Sequence, residues 1–131
     1  MTSTKFLART GWIAVFLLYI AALAWLCFGN FKPDENIPRF ILGIPIDKCV
    51  HFTMFLPFPI LGTIAFRKNS WWRTLCWSTL AANFIAIVFE SQQTRINPTR
   101  FTDAADLNAN LAGIALGMLI MALVGLISKK K

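Results

Sequence analysis

Residues 107–128 read LNANLAGIALGMLIMALVGLIS, and this stretch contains no charged residue. An α-helix rises about 1.5 Å per residue, so a helix of this length crosses a hydrocarbon layer about 30 Å thick. Two more uncharged stretches, at 11–29 and 49–66, are of similar length. A fourth becomes long enough when it is extended back to Trp71, because tryptophans and a snorkelling arginine suit a membrane interface. The sequence therefore predicts an all-α bundle of four membrane helices near residues 11–29, 48–66, 71–90 and 104–128.

The composition points the same way. Of 131 residues, 56% are hydrophobic and 15% are charged, and the mean hydropathy is +0.59. Soluble chains have about 45–50% apolar and about 25% charged residues. Disordered and collagen-like chains are excluded, and so is a disulfide scaffold, since the three cysteines have no paired spacing. We expect residues 1–131 to form a single membrane domain.

The first apolar stretch resembles a signal peptide because Lys5 and Arg9 precede it. Its length exceeds the roughly 7–15 apolar residues of a signal peptide, and residues 26–29 offer no cleavage site between small residues. We therefore expect the first helix to remain in the mature protein.

The distribution of charge predicts the orientation of the bundle. Four spans place both termini on one side, which carries eight of the 13 lysines and arginines and no acid. The other side carries the remaining five basic residues together with all six acids. Since basic residues favour the cytoplasmic side, both termini are predicted to be cytoplasmic. On the opposite side, the proline-containing loop at 30–46 is predicted to be irregular and to lie along the interface through its apolar residues 40–44.

Polar residues near the ends of the spans are the candidates for a functional site, because ionisable groups in a membrane are costly. They form three groups that belong to different helices and meet at one membrane boundary, which suggests a shared pocket. The candidate ligand-binding residues are Asp47, Lys48, His51, Glu90, Gln93, Arg100, Asp103, Asp106 and Asn110. Below them, Gly113 and Gly117 are predicted to let another helix pack closely.

Simpler roles exist for several of these residues. Asp103 and Asp106 suit the first turn of a helix, where the helix dipole favours acids. Arg100 could form an ion pair that orders its loop. Lys48 could extend its side chain to the membrane interface, as a snorkelling lysine does. The tryptophans suit interface anchors or bulk that faces lipid. Helix capping does not explain why His51, Glu90 and Asn110 lie at or inside the membrane boundary.

The three groups have a recognisable spacing. It reads Asp47-Lys48-x-x-His51-Phe52, then Glu90-x-x-Gln93, then Arg100-x-x-Asp103-x-x-Asp106-x-x-x-Asn110-x-x-Gly113-x-x-x-Gly117. In this order and spacing the motifs resemble the VanZ-like family. The resemblance covers about residues 47–117. It implies a small multi-pass protein of the bacterial cytoplasmic membrane, from a family linked to resistance to the lipoglycopeptide teicoplanin.

Three functions remain open from the sequence. The first is a binding or modulatory protein of the cell envelope, whose outward pocket recognises the polar part of a lipid-linked or glycan ligand. The second is a hydrolase or transferase that acts on a lipid-linked substrate through a metal or acid–base groups. Its weakness is the lack of a catalytic motif such as HExxH or GxSxG, and a single histidine excludes chemistry that needs two. The third is a purely structural network.

We expect partners to be membrane lipids and a lipid-linked envelope precursor rather than nucleic acid, and no cofactor is predicted. Neither a metal nor a catalytic residue is assigned by the sequence, and enzymatic activity stays open. The oligomeric state is not predicted.

Overall fold

The structure is a computed structural model that describes residues 3–28, 40–67, 70–96 and 104–129. Four of its segments are helices long and apolar enough to cross a membrane, and the chain is all-α apart from a short hairpin. The elements in chain order are α1 (Ser3–Phe28), β1 (Phe40–Ile41), β2 (Ile44–Pro45), α2 (Ile46–Phe55), α3 (Pro57–Phe66), α4 (Trp71–Ile96) and α5 (Ala104–Lys129).

The four candidate spans confirm the prediction of four membrane helices and revise their bounds. The spans are Thr4–Phe28, Lys48–Phe66, Trp71–Gln92 and Ala105–Ser128. Helix α1 begins well before the predicted residue 11 because Lys5 and Arg9, which were placed outside the span, continue the helix. Long basic side chains can extend from a helix end to the interface, so their charge does not end the helix.

The second span consists of two helices, α2 and α3, where the sequence predicts one, and we call the break between them at Leu56 the kink. Leu56 keeps helical angles (φ −56°, ψ −43°) and separates α2 from α3. Pro57 and Pro59 follow, and neither has an N–H to donate to the carbonyl four residues earlier. The loss of these two hydrogen bonds is the physical cause of the kink.

Close contacts between small residues hold the bundle together. The core combines Leu23 and Cys27 of α1, Phe55 and Phe58 of the kinked span, alanines of α4 and Ile114 of α5. Gly62 of α3 lies against Ser78 of α4, so close that an added Cβ would be 2.7 Å from the serine Oγ. In lipid, such contacts replace the hydrophobic effect as the main source of helix association.

Of the loop that was predicted to be irregular, the described residues 40–45 form a small antiparallel hairpin, which corrects the prediction there, and residues 30–39 lie outside the described residues. Phe40 pairs with Pro45 and Ile41 pairs with Ile44. The turn between them contains Leu42 (φ 52°) and Gly43 (φ 82°), which are both left-handed. Two consecutive left-handed residues are the conformation of a tight hairpin turn. Leu42 at the tip is 98% exposed.

Trp71 also differs from its predicted role as an interface anchor or lipid-facing bulk. Its indole Nε1 donates a hydrogen bond to the Met121 carbonyl of α5 at 2.9 Å. The ring lies against Gly125, where an added Cβ would be 2.5 Å from Nε1. Trp71 therefore joins the start of α4 to the end of α5, whereas Trp12, Trp25, Trp72 and Trp77 are exposed.

Candidate functional site

Helices α2 and α5 start side by side and run parallel, and their first turns bring four polar side chains together. The Lys48 ammonium donates to the Asp106 carboxylate and forms an ion pair with it. On the next turn, His51 Nε2 lies 3.6 Å from Asp106 Oδ2. His51 Nδ1 donates to Asn110 Oδ1 at 3.0 Å. We call Lys48, His51, Asp106 and Asn110 the polar cluster.

The spacing of these residues explains why they meet. Lys48 and His51 are three residues apart and Asp106 and Asn110 are four apart, so each pair lies on one face of its helix. The same face of α5 continues as Gly113, where an added Cβ would be 2.2 Å from the Phe52 carbonyl oxygen. At Gly117 the Cβ would be 2.3 Å from the Leu56 carbonyl oxygen. The two glycines therefore bring the helix backbones into contact below the cluster.

Burial divides the polar cluster into a covered part and an accessible part. Asn110 is 1% exposed and His51 is 5% exposed. The side chains of Lys48 and Asp106 are more accessible, at 19% and 12%. A ligand that approaches the cluster therefore meets Lys48 and Asp106 first. His51 and Asn110 lie behind them, and His51 faces the carboxylate.

Lys48 is directed inward, in contrast to the snorkelling role that was its simpler explanation. Its partner Asp106 is buried, and the two charges sit at the start of two candidate spans. Asp106 lies in the first turn of α5, so the helix dipole also favours its charge. An ion pair, an imidazole and an amide can together bind hydroxyl, amide and phosphate groups.

Glu90 lies at the same end of the bundle. It is 4% exposed and continues the buried face of α4 that includes Ala82 and Ala86. Helix α4 runs antiparallel to α5, as the contact between Trp71 and Met121 shows. At about 1.5 Å per residue along both helices, Glu90 is level with the first turn of α5. Glu90 therefore lies at the level of the polar cluster, and its place in the predicted shared pocket stays a prediction.

The remaining predicted residues are placed only in part. Asp47 lies in the first turn of α2 and Gln93 in the last turn of α4. Arg100 and Asp103 fall outside the described residues. Among the residues that the structure does describe, no three His, Cys, Asp or Glu side chains form a group that could hold a metal ion. Since the candidate site residue Asp103 lies outside the described residues, the metal-dependent alternative stays a prediction.

Sequence reasoning missed Tyr19 of α1. Its hydroxyl donates to the Met54 carbonyl near the end of α2, and its ring packs edge-on against Phe58 at 6.1 Å between centroids. The signal was available, because Tyr19 is the only tyrosine of the chain and lies in the middle of a predicted span. A phenolic hydroxyl in hydrocarbon needs a partner, and the carbonyls of a helix near a proline kink supply one.

The chain matches no family model, no curated protein and no solved structure in comparisons with known proteins. What is shown is therefore a protein with four candidate membrane spans and a polar cluster at one end of the bundle.

Proposed function

We propose that this protein binds, through its polar cluster, the polar part of an envelope lipid or of a lipid-linked glycan or peptide. The observation that carries the proposal is the ion pair between Lys48 and Asp106, partly accessible at the end of two candidate spans. Charged groups in a membrane are costly and often mark a functional site. A buried ion pair is also weak evidence for stability, because matched apolar residues are often as stable.

The glycines support a functional role over a structural one. Gly113 and Gly117 already bring α5 into backbone contact with the kinked span. This packing supplies cohesion that does not depend on the charges. In the proposal, Lys48 and Asp106 contact the ligand, while His51 and Asn110 form the buried part of the cluster behind them.

The motif resemblance to the VanZ-like family supports the same proposal. It rests on spacing alone, since no family model matches the chain. The family's link to teicoplanin, a lipoglycopeptide, is consistent with an envelope ligand that has both a lipid and a polar part. Membership of this family, and any role in teicoplanin resistance, are parts of the proposal.

A second candidate is a structural lock, and the burial of His51 and Asn110 favours it. At 5% and 1% exposure, these side chains have little surface to offer a ligand. In this alternative the hydrogen bond between them serves only to fix α2 against α5.

Binding is tested by comparing thermal melting in two bilayers. A ligand that binds only the folded state raises the melting temperature. In nanodiscs made from a total bacterial lipid extract, the wild type should melt several degrees higher than in synthetic phosphatidylcholine. Asp106→Asn should lose this gain, and Asn108→Ala should keep it because Asn108 is exposed on the same helix. Equal gains for all three proteins would support the structural lock.

The orientation is a further part of the proposal: the polar cluster faces outward and both termini are cytoplasmic. The basic residues of the opposite end, among them Lys5, Arg9 and Arg73, support it by the positive-inside rule. We expect a cysteine introduced at position 34 to react with a membrane-impermeant thiol reagent on intact cells, in a background without the three native cysteines. A cysteine at position 129 should react only after permeabilisation. The reverse pattern would overturn the orientation.

A further inference from the structure

An apolar groove of about 480 Å³ lies between α1 and α2. We call it the apolar groove. Its walls are the outer half of α1 on one side and most of α2 on the other. The lining residues are Tyr19, Ala22, Leu23, Leu26, Cys49, Val50, Thr53, Met54 and Pro57.

The groove follows from the kink in the second span. Helix α2 lies against α5, where Gly113 meets the backbone of Phe52. Helix α3 lies against α1 as well as α4 and α5, and Phe58 packs edge-on against Phe16 with 5.4 Å between ring centroids. Above this contact, α1 and α2 pack little against each other. The gap between them is the apolar groove.

The chemistry of the lining selects an apolar occupant. Only two lining side chains carry a hydroxyl, and both are already bonded to carbonyls. Tyr19 donates to Met54, and Thr53 Oγ1 donates to the Cys49 carbonyl at 2.8 Å. Apolar cavities without free polar groups stay dry. The lining is mostly apolar, so the groove favours an apolar occupant over a polar one.

The position of the groove in the bundle indicates which kind of molecule occupies it. Its lining residues belong to the spans Thr4–Phe28 and Lys48–Phe66, so the groove opens at the depth of the bilayer hydrocarbon. From Val50 to Pro57 it extends over about 10 Å of helix. A helix about 10 Å across would fill more than 480 Å³ over that length, whereas a single hydrocarbon chain is thinner.

We propose that the apolar groove is a binding site for one hydrocarbon chain of a membrane lipid. The site is separate from the polar cluster, because Cys49 and Thr53 line it from a face of α2 other than the one on which Phe52 meets α5. Its volume is within the range of about 300–1,000 Å³ typical of small-molecule sites. A chain held there fills the gap that the kink leaves in the bundle.

Retention of a photoreactive lipid tests the proposal. The protein is reconstituted with phosphatidylglycerol that carries a diazirine on one acyl chain, then moved into unlabelled detergent, washed and irradiated. Lipid at the general surface exchanges away during washing, whereas a held chain remains. We expect cross-links to the groove walls, at Leu26, Val50 and Met54, mapped by peptide mass spectrometry.

Two tryptophan variants on α1 provide the contrast. Ala22→Trp fills the groove and should abolish the retained cross-links, whereas Ala21→Trp adds the same bulk on a neighbouring residue outside the lining and should keep them. Val50→Trp fills the groove from the opposite wall and should also abolish the retained cross-links. Agreement between the two variants shows that the loss is not caused by a folding defect in one of them.

Two outcomes would overturn the proposal: no retained cross-link, or cross-links that persist in both groove-filling variants. The polar cluster is tested independently, because Asp106→Asn should leave the groove cross-links unchanged. Loss of lipid-dependent melting in Asp106→Asn with intact groove cross-links would separate the two sites.

Discussion

Gly113→Ala is expected to destabilise the bundle more than any other methyl-sized change considered for this protein. The added Cβ would lie 2.2 Å from the Phe52 carbonyl oxygen and 3.0 Å from its carbonyl carbon. These are backbone atoms, so α5 and α2 must move apart rather than rotate a side chain. Overpacking typically costs about 1–3 kcal/mol, and we expect about 3 kcal/mol here, measured by unfolding in a mixed detergent–denaturant titration.

Gly11→Ala is the matched control, since nothing lies within 4 Å of its Cβ position. Alanine is favoured over glycine in a helix by about 0.5–1 kcal/mol, so this variant should be slightly more stable than the wild type. Equal stability of the two alanine variants would show that α5 does not contact the α2 backbone at Gly113.

Lys48→Met is expected to have the second large effect, because it leaves the Asp106 carboxylate without its ammonium partner. Breaking a buried ion pair by removing one partner typically costs about 3–5 kcal/mol. Lys48 and Asp106 are partly exposed, so we expect a loss of about 3 kcal/mol in the free energy of unfolding. Asp106→Leu should cost less, because the lysine left behind can extend to the interface.

The double variant Lys48→Met/Asp106→Leu distinguishes a pair from two independent residues. Replacing both charges with apolar side chains of similar size removes the unpaired charge, and such exchanges are often neutral. We expect its stability to be within about 1 kcal/mol of the wild type. Lys5→Met, at an exposed lysine of α1, should also be close to the wild type. Additive losses in the double variant would contradict the pairing.

The sequence predicts the number of spans well because it has long stretches without charge, which are typical of membrane helices. It also predicts that the polar residues at the starts of α2 and α5 meet in one pocket, although it favours a snorkelling role for Lys48, which the structure instead pairs with Asp106. Which of these residues bond to each other depends on the rotation of two helices about their axes. That rotation follows from the backbone contacts at Gly113 and Gly117.

Other features depend on contacts that are distant in the sequence. Pro57 and Pro59 are evident in the sequence. A proline within a span is compatible either with the end of a helix or with a break between two helices of the same span. How α2 and α3 are placed depends on their contacts with α5. The apolar groove depends in turn on where α2 is placed. Trp71 was placed at the interface by its type, yet Gly125, far along the chain, provides the space that it occupies.

The most direct measurement for the polar cluster is native mass spectrometry of protein ejected from nanodiscs made with total bacterial lipid extract. The wild type and Asn108→Ala should each retain an adduct whose mass identifies a lipid or lipid-linked molecule. The double variant Lys48→Met/Asp106→Leu should remain folded and lose this adduct. If the folded double variant retains the same adduct at the same abundance, the polar cluster does not bind it, and the binding function is contradicted.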